Sequence, residues 1–362
     1  MKTRTLALIL AALMALTALT LVPASAVDYL TSGDWEYTVN DDGKTISICR
    51  YTGTALQLTI PDKLDGYTVT QLLPEWDGIF RNTPVKSVTI PDSVTTIGLN
   101  AFKDCTSIEY VFIPDSVTEI GSSAFEGCES LTSVNIPNGV TKLRSNLFSH
   151  CLKLKNVTIP AGVTEIGSGV FRETPISSIT LPAGIKNISS SLFLFCYSLH
   201  SIDIPYGVES IGASAFEGCQ GLSKVNIPST VKTIDDSAFY QTGLTSITIP
   251  ASVTTIGSMA FDYCSNLTTV NYGGTQESWY KITIEEGNEP LVNANLVFVK
   301  LVTPGDVDGN GKLNAKDVTA LMKHLVGKTP ENFVLEAADY DGNGKVNAKD
   351  VTAIMKYLVN NA

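Results

Sequence analysis

Two twelve-residue stretches carry the side chains best suited to chemistry. Residues 306–317 read DVDGNGKLNAKD and residues 339–350 read DYDGNGKVNAKD. Each places oxygen-bearing side chains at loop positions 1, 3, 5, 9 and 12 and a glycine at position 6, where the chain must turn sharply, which is the spacing of a calcium loop. The predicted ligands are Asp306, Asp308, Asn310, Asn314 and Asp317 in the first loop, and Asp339, Asp341, Asn343, Asn347 and Asp350 in the second. Lys312 and Lys345 would contribute only their backbone carbonyls. Hard carboxylate and carbonyl oxygens suit a calcium ion in a flexible shell, and three clustered carboxylates per loop repel one another without a cation. Two loops predict two calcium ions.

The elements that must position these loops are short helices. Each loop runs straight into one, residues 315 to about 326 and 348 to about 359. Val318, Leu321 and Leu325 in the first, and Val351, Ile354 and Leu358 in the second, make an apolar stripe at helical spacing. A complete EF-hand needs a helix before its loop, and only residues 302–305 stand there. This duplicated loop–helix unit with aspartate at position 12 resembles a type I dockerin, over residues 304–362. The resemblance implies a calcium-dependent plug for a cohesin module of a bacterial scaffoldin. It places the cohesin contacts at Ala315, Lys316, Met322 and Lys323 and at Ala348, Lys349, Met355 and Lys356, identical in the two halves. Matching halves imply two binding orientations related by a half-turn. Helix packing is the competing role for Met322 and Met355.

Most of the chain is built differently. Phenylalanines stand at 80, 102, 125, 148, 171, 193, 216, 239 and 261, at steps of 22 or 23 residues. A side chain returning at a fixed interval over nine units stacks on its own copies, so residues 59–272 read as a solenoid. In a unit such as residues 113–135, IPDSVTEIGSSAFEGCESLTSVN, an alternating Leu-x-x-Val-x-Ile strand ends at proline. A second short extended piece follows, commonly closed by glycine, and Ala-Phe then opens a turn or short helical segment. The pattern resembles the BspA-like leucine-rich repeat of bacterial surface and secreted proteins, with the glycine missing at Arg144, Ser189 and Asp235. The fold class is therefore a β-rich repeat solenoid followed by a small all-α dockerin. Residues 27–58 read as an N-terminal β-hairpin cap around Asn40, Asp41, Asp42 and Gly43, and residues 273–303 as a C-terminal cap and short linker.

The resemblance puts the outward residues of the first strand on a concave face. At about 4.8 Å per strand the turns give roughly 40 Å of surface. Its side chains are Ser, Thr and Asn for the most part, with one aromatic pair, Tyr110 and Phe112, predicted as the ligand contact. A merely solvated sheet face is the alternative.

Residues 1–26 read as a secretory signal peptide, with Lys2 and Arg4 before an apolar run and Ala24, Ser25 and Ala26 at the cleavage site. No other stretch reaches the roughly 18 apolar residues of a membrane span. A net charge of −11 without a basic cluster excludes a nucleic-acid partner. Cys105, Cys128, Cys151, Cys196, Cys219 and Cys264 each follow a ladder phenylalanine by three residues, with Thr83, Thr174 or Thr242 substituting elsewhere. That register reads as buried free thiols. Of the three histidines, His150, His200 and His324, sequence neighbours offer a plausible acid or nucleophile only at Cys151, and no carboxylate pair stands apart from the repeat. The expectation is a secreted, non-catalytic accessory protein docked on a cellulosome or cell-surface scaffold. It would display its repeats to a protein or a plant-wall glycan during polysaccharide degradation. An adhesin or inhibitor of host or competitor proteins is the alternative, and a polysaccharide-active enzyme the third reading.

Overall fold

The computed structural model describes residues 29–299, 305–308, 312–340 and 345–360, so the expected signal peptide lies outside the described residues. The chain forms a solenoid of stacked coils followed by a small helical module. Each coil has three edges. On the first, strands such as Ser87–Thr89 and Tyr110–Phe112 pair in parallel with their copies one coil away, Ser87 opposite Tyr110 and Thr89 opposite Phe112. On the second, two-residue strands such as Thr96–Ile97 and Glu119–Ile120 do the same. Alternation decides which side chains enter: Val111 and Ile120 are buried, whereas Tyr110, Phe112 and Glu119 face out.

The third edge carries the phenylalanines. It is a run of turns, without the short helix allowed by the sequence. From Phe102 to Phe261, the residues two before and two after each phenylalanine take left-handed φ, as Asn100 (59°) and Asp104 (54°) do around Phe102. With the backbone so turned, alternate amides point along the stack. Asn100, Phe102 and Asp104 donate to Ser122, Ala124 and Glu126 of the next coil at 3.1, 2.7 and 2.8 Å. Short polar residues and glycine tolerate this conformation best, which accounts for Asn, Ser or Gly at most of the leading positions.

Inside, successive rings from Phe80 to Phe261 stack with centroids between 4.9 and 6.0 Å apart. The cysteines sit beneath them. Cys128 and Cys151 donate their thiols to the carbonyls of Phe102 and Phe125, one coil back, at 3.0 and 3.1 Å. Thr174 instead donates to its own coil's Phe171 carbonyl at 2.7 Å. The site thus accepts a small side chain with one donor, and all seven cysteines are free and buried. Glycine at the second edge answers to crowding: a Cβ on Gly121 would lie 2.5 Å from the carbonyl carbon of Gly98 in the coil behind.

Both ends are closed. Strands β1 (Leu30–Ser32), β2 (Trp35–Val39) and β3 (Thr45–Tyr51) form an antiparallel meander, and β3 joins the second-edge sheet in parallel with Tyr67–Leu72. Trp35 and Tyr51 continue the ring stack above Phe80. At the other end, helices α1 (Gln276–Trp279) and α2 (Glu289–Val292) flank the last second-edge strand, and Asn295–Phe298 pairs with Thr269–Tyr272. Here the amide ladder needs acceptors that no further coil supplies. Met259 donates to the Glu286 carbonyl, and Phe261 donates to the buried Asn288 side chain at 3.0 Å. The same side chain donates to the carbonyls of Gly257 and Glu285, each at 2.9 Å.

Two expectations follow. Asn288→Ala strands the buried Phe261 amide and should lower stability by about 1–3 kcal/mol in denaturant unfolding, with Asn288→Asp intermediate because it can accept but not donate. An unchanged midpoint in Asn288→Ala would show that the cap does not hold the last coil. Burial raises the Cys105 thiol pKa to about 12 and that of Cys196 to about 11. Below those values the thiols stay protonated, so at pH 8 the ladder cysteines should resist alkylation until the solenoid unfolds. Labelling at the native rate of a free thiol would contradict this packing.

Candidate metal centre and display face

In the helical module, α3 (Ala315–Leu325) and α4 (Ala348–Asn360) pack over Val307, Ala320, Leu321, Ala337, Ala338 and Ile354. Leu325, assigned by spacing to the apolar stripe, is exposed because the helix ends there, at Gly327 with φ of 74°. The two halves are tied by backbone bonds from Val334 to Val307 at 2.8 Å and from Gly305 to Ala337 at 2.7 Å.

The sequence at each loop's end fixes where its helix starts. The Asn314 side chain accepts the Lys316 amide at 2.9 Å, and the Asp317 carboxylate accepts the Asn314 amide at 2.8 Å. Asn347, Lys349 and Asp350 repeat both bonds at the same distances. Asn314 and Asn347 therefore cap helices, a use the loop spacing alone does not reveal. Capping in turn anchors the last carboxylate of each loop. Asp317 and Asp350 are fully buried, and Asp306 nearly so.

Carboxylate oxygens of Asp306, Asp308 and Asp317 all lie within 4.8 Å of one another. Burial raises the Asp317 pKa, opposed by the backbone amides of Asn314 and Asp308 and reinforced by Asp308 and Asp306. A cation offsets both the desolvation and the mutual repulsion, so the donor set fits calcium. In the second loop Asp339 is half-buried and Asp350 is fully buried. Asn310, Asp341 and Asn343 lie outside the described residues, while the Lys312 and Lys345 carbonyls accept from the Asn314 and Asn347 side-chain Nδ2 groups at 2.9 Å.

Ala315, Lys316, Met322 and Lys323 are exposed on α3, and Ala348, Lys349, Met355 and Lys356 on α4. Met322 and Met355 keep 54% and 50% of their surface free, too much for core packing. Tyr110 and Phe112 are also exposed, side by side on one face of their strand.

Two features were not visible in the sequence. The first-edge ladder lapses at residues 156–158 and 178–180, which pair with neither neighbour. There a hollow of about 380 Å³ opens, lined by Asn156, Thr158, Ser178, Thr180, Ser201 and Asp203, and the normally buried Val157 and Ile179 become half-exposed. Those segments are as β-branched as their neighbours, so no local signal marks them. The second feature corrects the reading of His150. Its Nδ1 lies 2.9 Å from Ser149 Oγ and its Nε2 lies 3.1 Å from Glu173 Oε1, one coil on. An acid and a hydroxyl do flank it, brought there by coil stacking. Ser149 is buried, however, and no substrate can reach its hydroxyl.

The BspA type leucine rich repeat region matches residues 77–200 and 186–286, more than half of the chain. The chain is a BspA-type leucine-rich repeat protein. Its helical module matches the dockerin type I domain over residues 304–359, the calcium-binding module that docks into cohesins. The repeat domain shares its fold with a leucine-rich repeat protein from Bacteroides ovatus, at 22% identity over 75% of this chain and 78% of that one, with a TM-score of 0.51. A leucine rich cell surface protein from Faecalibacterium prausnitzii is 26% identical over 72% of this chain and 98% of that one, with a TM-score of 0.42. No curated protein matches the chain. BspA-type repeats and dockerins are characteristic of extracellular or cell-surface bacterial proteins, and both are typically non-catalytic. Among the described residues no helix is long and apolar enough to cross a membrane.

Asp317→Ala should remove calcium binding from the first half and leave the second, halving the stoichiometry measured by calorimetry and shortening the α3 helix. Retention of full calcium stoichiometry would exclude the first loop as an ion site.

Proposed function

We propose that this protein is a secreted, non-catalytic accessory subunit that two calcium ions fold into a cohesin-competent state and that displays its repeat face to an extracellular ligand. Calcium would be held by Asp306, Asp308, Asn310, Asn314, Asp317 and the Lys312 carbonyl, and by their counterparts Asp339, Asp341, Asn343, Asn347, Asp350 and Lys345. The observation that carries the reading is the exposure of four helix positions repeated identically in the two halves, on either side of the buried carboxylates Asp317 and Asp350. Cohesin contact at Ala315, Lys316, Met322 and Lys323, or at Ala348, Lys349, Met355 and Lys356, is supported by that exposure. The dockerin supports attachment to a cellulosome or a cell-surface scaffold, and the setting proposed for it is plant polysaccharide degradation.

For the repeats, Tyr110 and Phe112 are the proposed contact. They offer adjacent apolar area on an otherwise polar strand face, the kind of anchor that dominates binding energy. The partner proposed for that face is a plant-wall glycan or an extracellular protein. The hollow at Asn156, Ser178 and Ser201 lies further along the same edge and supplies polar groups for orientation.

One binding experiment tests both halves of the reading. Cohesin capture by the full chain should be abolished by EDTA and restored by calcium. It should survive Lys316→Glu with Lys323→Glu, because the second half remains, and fail when Lys349 and Lys356 are reversed as well. Against wall glycans and extracellular proteins, Tyr110→Ala with Phe112→Ala should weaken capture at least tenfold. Cohesin binding that persists in EDTA, or release of reducing sugar from wall polysaccharide by the protein alone, would refute the proposal.

A further inference from the structure

The dockerin halves are near-copies, and the places where they differ are informative. Between residues 306–327 and 339–360 the differences are Val307/Tyr340, Leu313/Val346, Leu321/Ile354, His324/Tyr357 and Gly327/Asn360. Two exchange one aliphatic side chain for another inside the module's core, and one falls at a helix end. The remaining two introduce tyrosines, both in the second half, and both tyrosines meet the solenoid. The Tyr357 ring stands 5.1 Å from that of Tyr206 at 65°, and the Tyr340 ring 6.5 Å from it at 70°, both edge-to-face. Tyr340 and Tyr357 are 6.4 Å from each other, completing a three-ring cluster. In the first half, His324 stacks instead on Phe333 at 4.4 Å, within the dockerin itself.

The solenoid side is equally particular. Tyr206 follows the strand-ending proline of its coil. The same position in the other coils holds Asp62, Asp92, Asp115, Asn138, Ala161, Ala183, Ser229 and Ala251, so one coil alone presents an aromatic ring there. The next residue, Gly207, has φ of 101°, and a Cβ on it would lie 3.7 Å from the Tyr357 ring. Tyr206 is half-buried and stands outside the solenoid core.

We propose that Tyr206 and Gly207 form a dedicated seat for the second half of the dockerin, and that calcium in the loops and occupancy of the seat stabilise each other. The link to calcium lies in where Tyr340 stands. It is the second residue of its loop, between the predicted ligands Asp339 and Asp341, and its ring packs over Gly305, beside Asp306 of the first loop. A Cβ on Gly305 would come within 2.8 Å of Tyr340 Cδ2. The ring is therefore clamped between the two loops, and a cation that orders either loop orders the ring. Tyr357 rides on α4, which carries Asp350, the last predicted ligand of the second loop, in its first turn. The seat leaves all eight proposed cohesin contacts exposed, so it fixes the direction in which the repeat face is held without blocking attachment.

The test uses the full chain carrying Tyr206→Ala, a change confined to the solenoid side, with Tyr206→Phe as the variant that keeps the ring. With calcium present, small-angle scattering should show a compact particle for the parent and Tyr206→Phe, and a longer one for Tyr206→Ala. By reciprocity the calcium affinity of Tyr206→Ala should fall roughly fivefold or more, while the solenoid's thermal transition stays in place. A scattering profile unchanged by Tyr206→Ala overturns the seat. A lengthened particle with unchanged calcium affinity overturns the linkage. Neither readout involves cohesin or a repeat ligand, so failure here is distinguishable from failure of the proposed function.

Discussion

The amide ladder along the phenylalanine edge is the interaction on which the rest of the solenoid depends. A coil of 22 or 23 residues cannot bury its own apolar side, and its strands are only two to four residues long. What binds coil to coil without interruption is the set of bonds from residues flanking and including each phenylalanine, running from Phe102 through Phe239 and ending on Asn288. Left-handed backbone at the flanking residues is the cost of aiming alternate amides one way. Repeating the arrangement in every coil lets each interface offset it with three hydrogen bonds and a stacked ring pair.

The other two edges are free to vary because this one does not. Where the first-edge strands part at residues 156–158 and 178–180, the rings of Phe148 and Phe171 remain 6.0 Å apart and their amides stay paired. The missing glycine at Ser189 is likewise tolerated, its hydroxyl donating to the Ile166 carbonyl of the coil behind. A continuous spine with an adjustable face is a useful division for a binding protein. The face can open, carry Tyr110 and Phe112, or lose a ladder bond while the stack stays whole.

How much of this the sequence disclosed follows from the range of each interaction. Contacts that repeat with the chain's own period were legible: the Phe ladder, the cysteine register, the first-edge strand before most of the prolines and the duplicated acidic loops all announce themselves by spacing. Contacts made once were not. Asn288 looks like any loop asparagine, yet it replaces the backbone of a coil that does not exist. Glu173 reaches His150 only because one coil lies on the next, a separation of 23 residues that reads as distance in sequence and as contact in space. The left-handed positions were half legible, as Asn, Ser and Gly before the phenylalanine, but Phe195, Met259 and Tyr263 adopt the same conformation against their own preferences because the ladder imposes it.

The dockerin shows the same principle through broken symmetry. Duplication keeps identical what a partner outside the chain would read twice: the eight exposed helix positions and the loop carboxylates. It relaxes where the two halves meet different neighbours. Val307 is buried in the module's core while its counterpart Tyr340 reaches Tyr206; His324 turns inward to Phe333 while Tyr357 turns outward. Two copies of one sequence cannot both face the solenoid, so selection on that contact can act on one copy alone. The asymmetry of the tail is thus most simply accounted for by the asymmetric surface it rests on.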